Sequence, residues 1–399
     1  MHSPDRVFGL DLMRAFAILF VVLGHGNQLL PAHALPGIRE FIVFDGVTIF
    51  FVLSGFLIGR ILLRAVLHEQ FDGRMLLTFW MRRWFRTLPN YYFVLALLIV
   101  LTKALGDNTP PRPDNLPFYF AFAQNLAWQH PEFFGEAWSL AVEEWFYLCV
   151  PLPLYIATKI QNVDRRRVVL YCIAVVIIGS TAIRLARAGM FYPASEIDWA
   201  YSLKMQVVTR MDSLMIGVLG AYFSIHHREK WITAGAYTLP LGLALLIFDQ
   251  IMRSVNPSII YLNFFALSVA PIASFMLLPR MSTWYARPGV IVNTVTFISL
   301  TSYSIYLLNQ APILETILPT LMPHVMHYFW RLSDYTWAVT YATYWLLTIS
   351  ASYLLYRYYE RPMMNLRDRW PAKSRPSPVH AEIPAVGPMK PNAPNLKLP

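Results

Sequence analysis

Residues 14–25 read Arg14-Ala-Phe-Ala-Ile-Leu-Phe-Val-Val-Leu-Gly-His25, an arginine and a histidine enclosing ten uncharged residues. The surrounding apolar run, 8–29, is long enough to cross a bilayer as a helix. At about 100° and 1.5 Å per residue, Arg14 and His25 fall on nearly the same helix face, roughly 16 Å apart along the axis. An ionisable group inside hydrocarbon is costly and is by default a functional-site candidate. The plainer reading is a snorkelling arginine and a histidine satisfied by a neighbouring helix.

The rest of the chain agrees with a membrane reading. Of 399 residues, 56% are hydrophobic and 14% charged, and the mean hydropathy is +0.43. Charge is well below the usual share of about a quarter in soluble domains. The 12 Trp and 22 Tyr suit two interfacial belts. A net charge of +10 could serve nucleic-acid binding, but the arginines cluster between apolar runs, which favours positive-inside loops. Cys149 and Cys172 lie in apolar runs and form no metal-ligand spacing, so no metal is expected. The first run lacks a small-residue cleavage site, so it reads as a retained helix rather than a signal peptide.

Apolar runs fall at 8–29, 41–63, 89–105, 138–158, 168–188, 204–224, 232–252, 258–279, 290–310 and 337–357. They predict an all-α polytopic membrane protein of about ten transmembrane helices. Arg60, Arg64, Arg74, Arg82, Arg83 and Arg86 lie between the second and third runs, and Arg165, Arg166 and Arg167 follow the fourth. The alternate loops, 107–136 and 311–336, hold one arginine each. By the positive-inside rule both termini are cytoplasmic, in a multi-pass inner or plasma membrane protein. Residues 106–137 and 311–336 are expected as long outer loops, the second as an interfacial or re-entrant cap. Residues 1–362 are read as one membrane-embedded domain. Residues 363–399 are read as a Pro-rich, disordered cytoplasmic tail.

This topology brings intramembrane polar residues to one outer layer: His25, Asp45, Glu143, Glu144, Arg210, Asp212, Asn309 and Gln310. Charges in a bilayer survive by facing each other or water, which predicts a polar cavity open to the outer face, with Arg210 or His25 neutralised by Glu143. Structural ion pairing is the alternative. On the inner side Arg83 and Arg86, expected just before the third helix, share a face. With Arg14 they could bind a phosphorylated ligand or simply lipid headgroups.

Taken in order, these blocks resemble acyltransferase family 3, the membrane-embedded O-acyltransferases. They are Arg14-x10-His25, Phe50-Phe51-Val52-Leu53-Ser54-Gly55, Arg83-x-x-Arg86 with Pro89, Trp138-Ser139-Leu140-Ala-Val-Glu143-Glu144, Arg210-Met-Asp212, Ser302-Tyr303-Ser304-Ile305-Tyr306 and Tyr359-Glu360-Arg361-Pro362. The resemblance implies an acyl-CoA donor, with acetyl by family habit, in the cytoplasm. It implies an acceptor hydroxyl, often on a sugar or glycolipid, on the far side. It also implies catalysis by the histidine, with the arginine pair at the coenzyme A end. Two departures stand out. Thr48 occupies a place where the family often has aspartate, Asp45 being out of register. Asn309 stands where the family often has histidine.

On this reading Arg14, Arg83 and Arg86 hold the coenzyme A phosphates, and the pantetheine arm runs along the first helix to His25. His25 is then the general base, or carries an acyl-histidine, with Glu143 orienting it. Ser54, Glu144, Arg210, Asp212 and Asn309 are expected at the substrate. A glycolipid or polysaccharide exporter would share the polar layer, but gives no reason for the arginine pair to accompany Arg14-x10-His25. The His-x4-Asp signature of glycerolipid acyltransferases is missing, since residue 30 is Leu.

Overall fold

The computed structural model describes residues 6–31, 43–68, 71–106, 113–160, 162, 164–191, 193, 195–254, 259–328 and 336–369. All regular structure among them is helical. Eight helical stretches are long and apolar enough to cross a membrane: Phe8–Leu29, Gly46–Leu67, Gly73–Leu105, Ala137–Ala157, Arg165–Met190, Arg228–Ser254, Ile259–Met281 and Val290–His327. Each covers one of the expected runs. The other two runs also fold as helices, Met211–His226 and Thr336–Leu355. The first of these has 16 residues, about 24 Å, short for a hydrocarbon core.

The helices that build the site are α1 (Phe8–Gly26), α2 (Gly46–His68), α3 (Gly73–Leu105), α4 (Ala137–Cys149), α5 (Arg165–Phe191), α6 (Met211–His226), α7 (Arg228–Ser254), α8 (Leu267–Met281) and α9 (Val290–Leu308). α10 (Leu318–Tyr328), α11 (Thr336–Leu355) and α12 (Arg361–Arg369) complete the chain. α2 is central, packed on α6, α1 and α8. Its seam with α6 has no side-chain layer. A Cβ on Gly55 would lie 1.8 Å from the carbonyl oxygen of Leu214, and one on Gly217 would lie 2.1 Å from that of Val52. Only glycine permits such an approach.

Three expectations are corrected. α3 begins at Gly73, where Asp72 caps it by accepting from the Met75 N–H at 2.8 Å. Arg83 and Arg86 therefore stand within the helix rather than before it. The described part of the 106–137 connection is not a free loop but a layer folded back on α3 and α4. The Tyr91 and Tyr92 hydroxyls donate to the carbonyls of Tyr119 and Phe120 at 2.9 and 2.8 Å, and Trp145 Nε1 donates to that of Phe122 at 3.0 Å. The buried Asn125 Nδ2 donates to the carbonyls of Trp138 (3.0 Å) and Met205 (2.7 Å), tying the layer to the lead-in of α6. Finally, no loop opens at residue 311. A wide π-type turn, Asn309–Ile317, carries α9 into α10. Of the expected tail, residues 363–369 belong to α12, and 370–399 lie outside the described residues.

Candidate active site

Five helices converge on one cavity of about 160 Å³. α1 supplies Arg14, α2 Phe50, Phe51 and Ser54, α3 Arg83, Arg86 and Thr87, α4 Ser139, Glu143 and Tyr147, and α9 Ser302, Tyr303 and Tyr306. The three arginines proposed at the donor thus share a wall with Glu143. Arg14 Nη1 donates to Ser299 Oγ at 3.1 Å and lies 3.5 Å from Asp11 Oδ1. Asp11 is itself held by Arg6 at 2.9 and 2.7 Å and by Ser299 Oγ at 2.8 Å. Arg86 makes no hydrogen bond or ion pair with any described residue, although it lines the cavity. Glu143 accepts from Ser54 Oγ at 2.9 Å and from the Tyr147 hydroxyl at 3.0 Å.

His25 lies at the far end of α1, half-buried. Its Nδ1 is 2.6 Å from Asn309 Oδ1. Asn309, not Glu143, is therefore the recorded partner of the imidazole, which corrects both expectations. The asparagine amide cannot turn over without loss, because its Nδ2 donates to the carbonyls of Ile305 (3.0 Å) and Tyr306 (2.8 Å). The Tyr344 hydroxyl approaches Oδ1 from the other side at 3.4 Å. With an acceptor oxygen fixed against it, Nδ1 must carry the proton. The assigned tautomer then leaves the lone pair on Nε2, which has no hydrogen-bond partner among the described residues.

The outer polar layer is divided rather than gathered into one cavity. Arg184, unremarked in the sequence, is 1% exposed and donates to Asp212 Oδ2 at 2.6 Å and to the Thr209 carbonyl at 3.0 Å. Arg210 is fully buried. It donates to Thr48 Oγ1 at 2.5 Å and lies over the Phe51 ring at 5.5 Å. Thr48 Oγ1 in turn donates to Asp45 Oδ2 at 2.9 Å. Thr48 thus connects the out-of-register Asp45 to Arg210. Neither Arg210 nor Asp212 contacts His25 or Glu143. Glu144 turns away from the cavity and accepts from Thr87 Oγ1 at 2.6 Å.

The helical frame and its ordered set of polar groups fit an acyltransferase, and a family model described as an acyltransferase domain matches residues 7–357. The chain belongs to acyltransferase family 3. Among its relatives is the O-acetyltransferase OatA of Staphylococcus aureus strain NCTC 8325, 26% identical over 377 residues, covering 82% of this chain and 57% of that protein. A second is SACOL0978 of S. aureus strain COL, 27% identical over 326 residues, covering 76% of this chain and 50% of that protein. The chain thus spans little more than half the length of these relatives. No solved structure matches it.

Proposed function

We propose that this chain is a membrane O-acyltransferase that moves an acyl group from cytoplasmic acyl-CoA to a hydroxyl of a glycan or glycolipid on the far side. The observation that carries this reading is the shared cavity of Arg14, Arg83, Arg86 and Glu143, with Arg86 left for an external anion. Arg83 and Arg86 would take the phosphates of coenzyme A by charge-assisted bonds, with Arg14 on the facing helix. The name borne by OatA supports acetyl as the group carried.

From Arg14 the helix axis leads roughly 16 Å to His25, within reach of an extended pantetheine arm. His25 Nε2 takes the proton of the acceptor hydroxyl as that oxygen attacks the thioester carbonyl. A C–O bond forms, the C–S bond breaks, and the imidazolium returns its proton to the departing thiolate. While His25 is cationic, Asn309 Oδ1 accepts from Nδ1 and stabilises the charge. The same Nε2 would be acylated in an acyl-histidine route. Glu143, anchored by Ser54 and Tyr147, offsets part of the arginine charge at the cavity wall.

The test uses proteoliposomes of one orientation. Acyl-CoA supplied on the Arg83 side should support transfer to an acceptor confined to the opposite side. Equal product with donor and acceptor both restricted to the Arg83 side would overturn the transmembrane arrangement.

A further inference from the structure

Glu136 is absent from every motif considered above, yet it makes the tightest join between α4 and the wide turn. It immediately precedes α4 and is 1% exposed. Its Oε1 accepts two consecutive main-chain N–H groups, those of Gln310 and Ala311, each at 2.9 Å. Its own carbonyl accepts from the Tyr306 hydroxyl at 3.1 Å. The backbone beside it is drawn in as well: a Cβ on Gly135 would meet Gln310 Nε2 at 2.9 Å.

In a regular α-helix the Gln310 N–H points to the carbonyl of Tyr306. Here it turns to Glu136, and the Tyr306 carbonyl accepts from Asn309 Nδ2 at 2.8 Å instead. That bond, with the one to the Ile305 carbonyl at 3.0 Å, orients the Asn309 amide so that Oδ1 meets His25 Nδ1. We infer that Glu136 is a positioning residue: by capturing the N–H groups of Gln310 and Ala311 it frees the Tyr306 carbonyl for Asn309 and so fixes the tautomer of His25. This rests on the proposed role of His25 as base and extends it one residue further back.

The role requires an acceptor oxygen, not a charge. Glu136 Oε2 makes no hydrogen bond, so an amide nitrogen in its place loses no partner. Burial, followed by the neighbouring Glu315, pushes the Glu136 carboxyl up, toward the neutral form. Glutamine reproduces that form and keeps Oε1.

The experiment compares Glu136→Gln, Glu136→Ala, Asn309→Ala and the double alanine variant in proteoliposomes. It measures kcat, the KM for acyl-CoA, and the rate at which diethylpyrocarbonate modifies His25, read by mass spectrometry. Glu136→Gln is expected to keep kcat within about threefold of wild type, with His25 modified at the same rate. Glu136→Ala is expected to lose tenfold or more in kcat, with the donor KM within about twofold and His25 modification altered. The double variant should be no worse than the poorer single one, since both act through the same imidazole. Equal loss in the glutamine and alanine variants, or full additivity with Asn309→Ala, would overturn the inference. Should Glu136→Ala fail to fold, Glu136→Gln and Asn309→Ala still decide it. A glutamine variant with altered His25 modification, or an Asn309→Ala variant with unaltered modification, sinks the positioning chain. If wild-type protein transfers no acyl group but His25 modification follows the glutamine–alanine pattern, the positioning role stands and the proposed function falls.

Discussion

Arg86 and Arg210 are the same side chain in opposite settings. Arg86 lines a cavity and pairs with no described residue. Arg210 is fully enclosed, bound to Thr48 and covered by Phe51, while nearby Arg184 is closed by Asp212. An intramembrane charge is a candidate for ligand binding when a cavity faces it and no side chain is hydrogen-bonded to it. When the fold supplies the partner, the same charge holds helices together. Depth in the bilayer, the criterion available from sequence, does not separate the two cases.

The sharpest way to break this contrast lies at His25, at the other end of α1 from Arg14. His25→Ala should lower acyl transfer by about 10²–10⁴-fold, the usual cost of losing a general base, with the protein still folded. Turnover of acyl-CoA by the purified variant checks this, and an active variant would remove His25 from the chemistry. On the enclosed side, Asp212→Ala leaves Arg184 buried without its counter-ion. That should cost about 3–5 kcal/mol of stability, read as a lowered thermal unfolding midpoint in detergent. A midpoint equal to wild type would mean that the pair is not structural. Arg83→Ala with Arg86→Ala should act on the ligand instead, weakening coenzyme A binding tenfold or more, at about 1.5–3 kcal/mol per charged hydrogen bond. Lysine at both positions should recover only part of the affinity, because a point charge lacks the planar fork. Titration calorimetry measures both, and unchanged affinity would move the donor elsewhere. The smallest effect is expected for Thr48→Val, which keeps the shape but removes the hydroxyl between Asp45 and Arg210. A loss of about 1–2 kcal/mol in stability with donor affinity unchanged is expected. A change in donor affinity would link the enclosed cluster to the cavity.

Apolar run length located the eight candidate spans among the described residues, because hydrocarbon thickness sets the length of a spanning helix. Helix geometry placed Arg14 and His25 on one face, a local relation that a single helix preserves. The pairings across helices were not legible. Asn309 and His25 are 284 residues apart, Ser54 and Glu143 are 89 apart, and Arg184 and Asp212 are 28 apart. Periodicity gives the face of a helix but not its neighbour. Arg184 belongs to no motif, and its burial against Asp212 follows only from the packing of α5 on α6. Glu136 had no signal beyond standing two residues before Trp138. The helix expected to end at Gln310 instead continues through the wide turn Asn309–Ile317, which contains Pro312.

The contact of Gly55 with Leu214 and of Gly217 with Val52 has a mechanical consequence. Two backbones this close resist sliding past one another, because hydrogen atoms would be driven into carbonyl oxygens, so α2 and α6 are expected to move together. Thr48 and Ser54 belong to one helix of that pair and Asp212 to the other. α3 is built differently: it has no glycine from Arg74 to Leu105 and meets the cavity through Arg83, Arg86 and Thr87. If the donor is acyl-CoA, as proposed, its admission is expected to fall to the α3 wall, where the cavity is lined by side chains, rather than to the glycine seam.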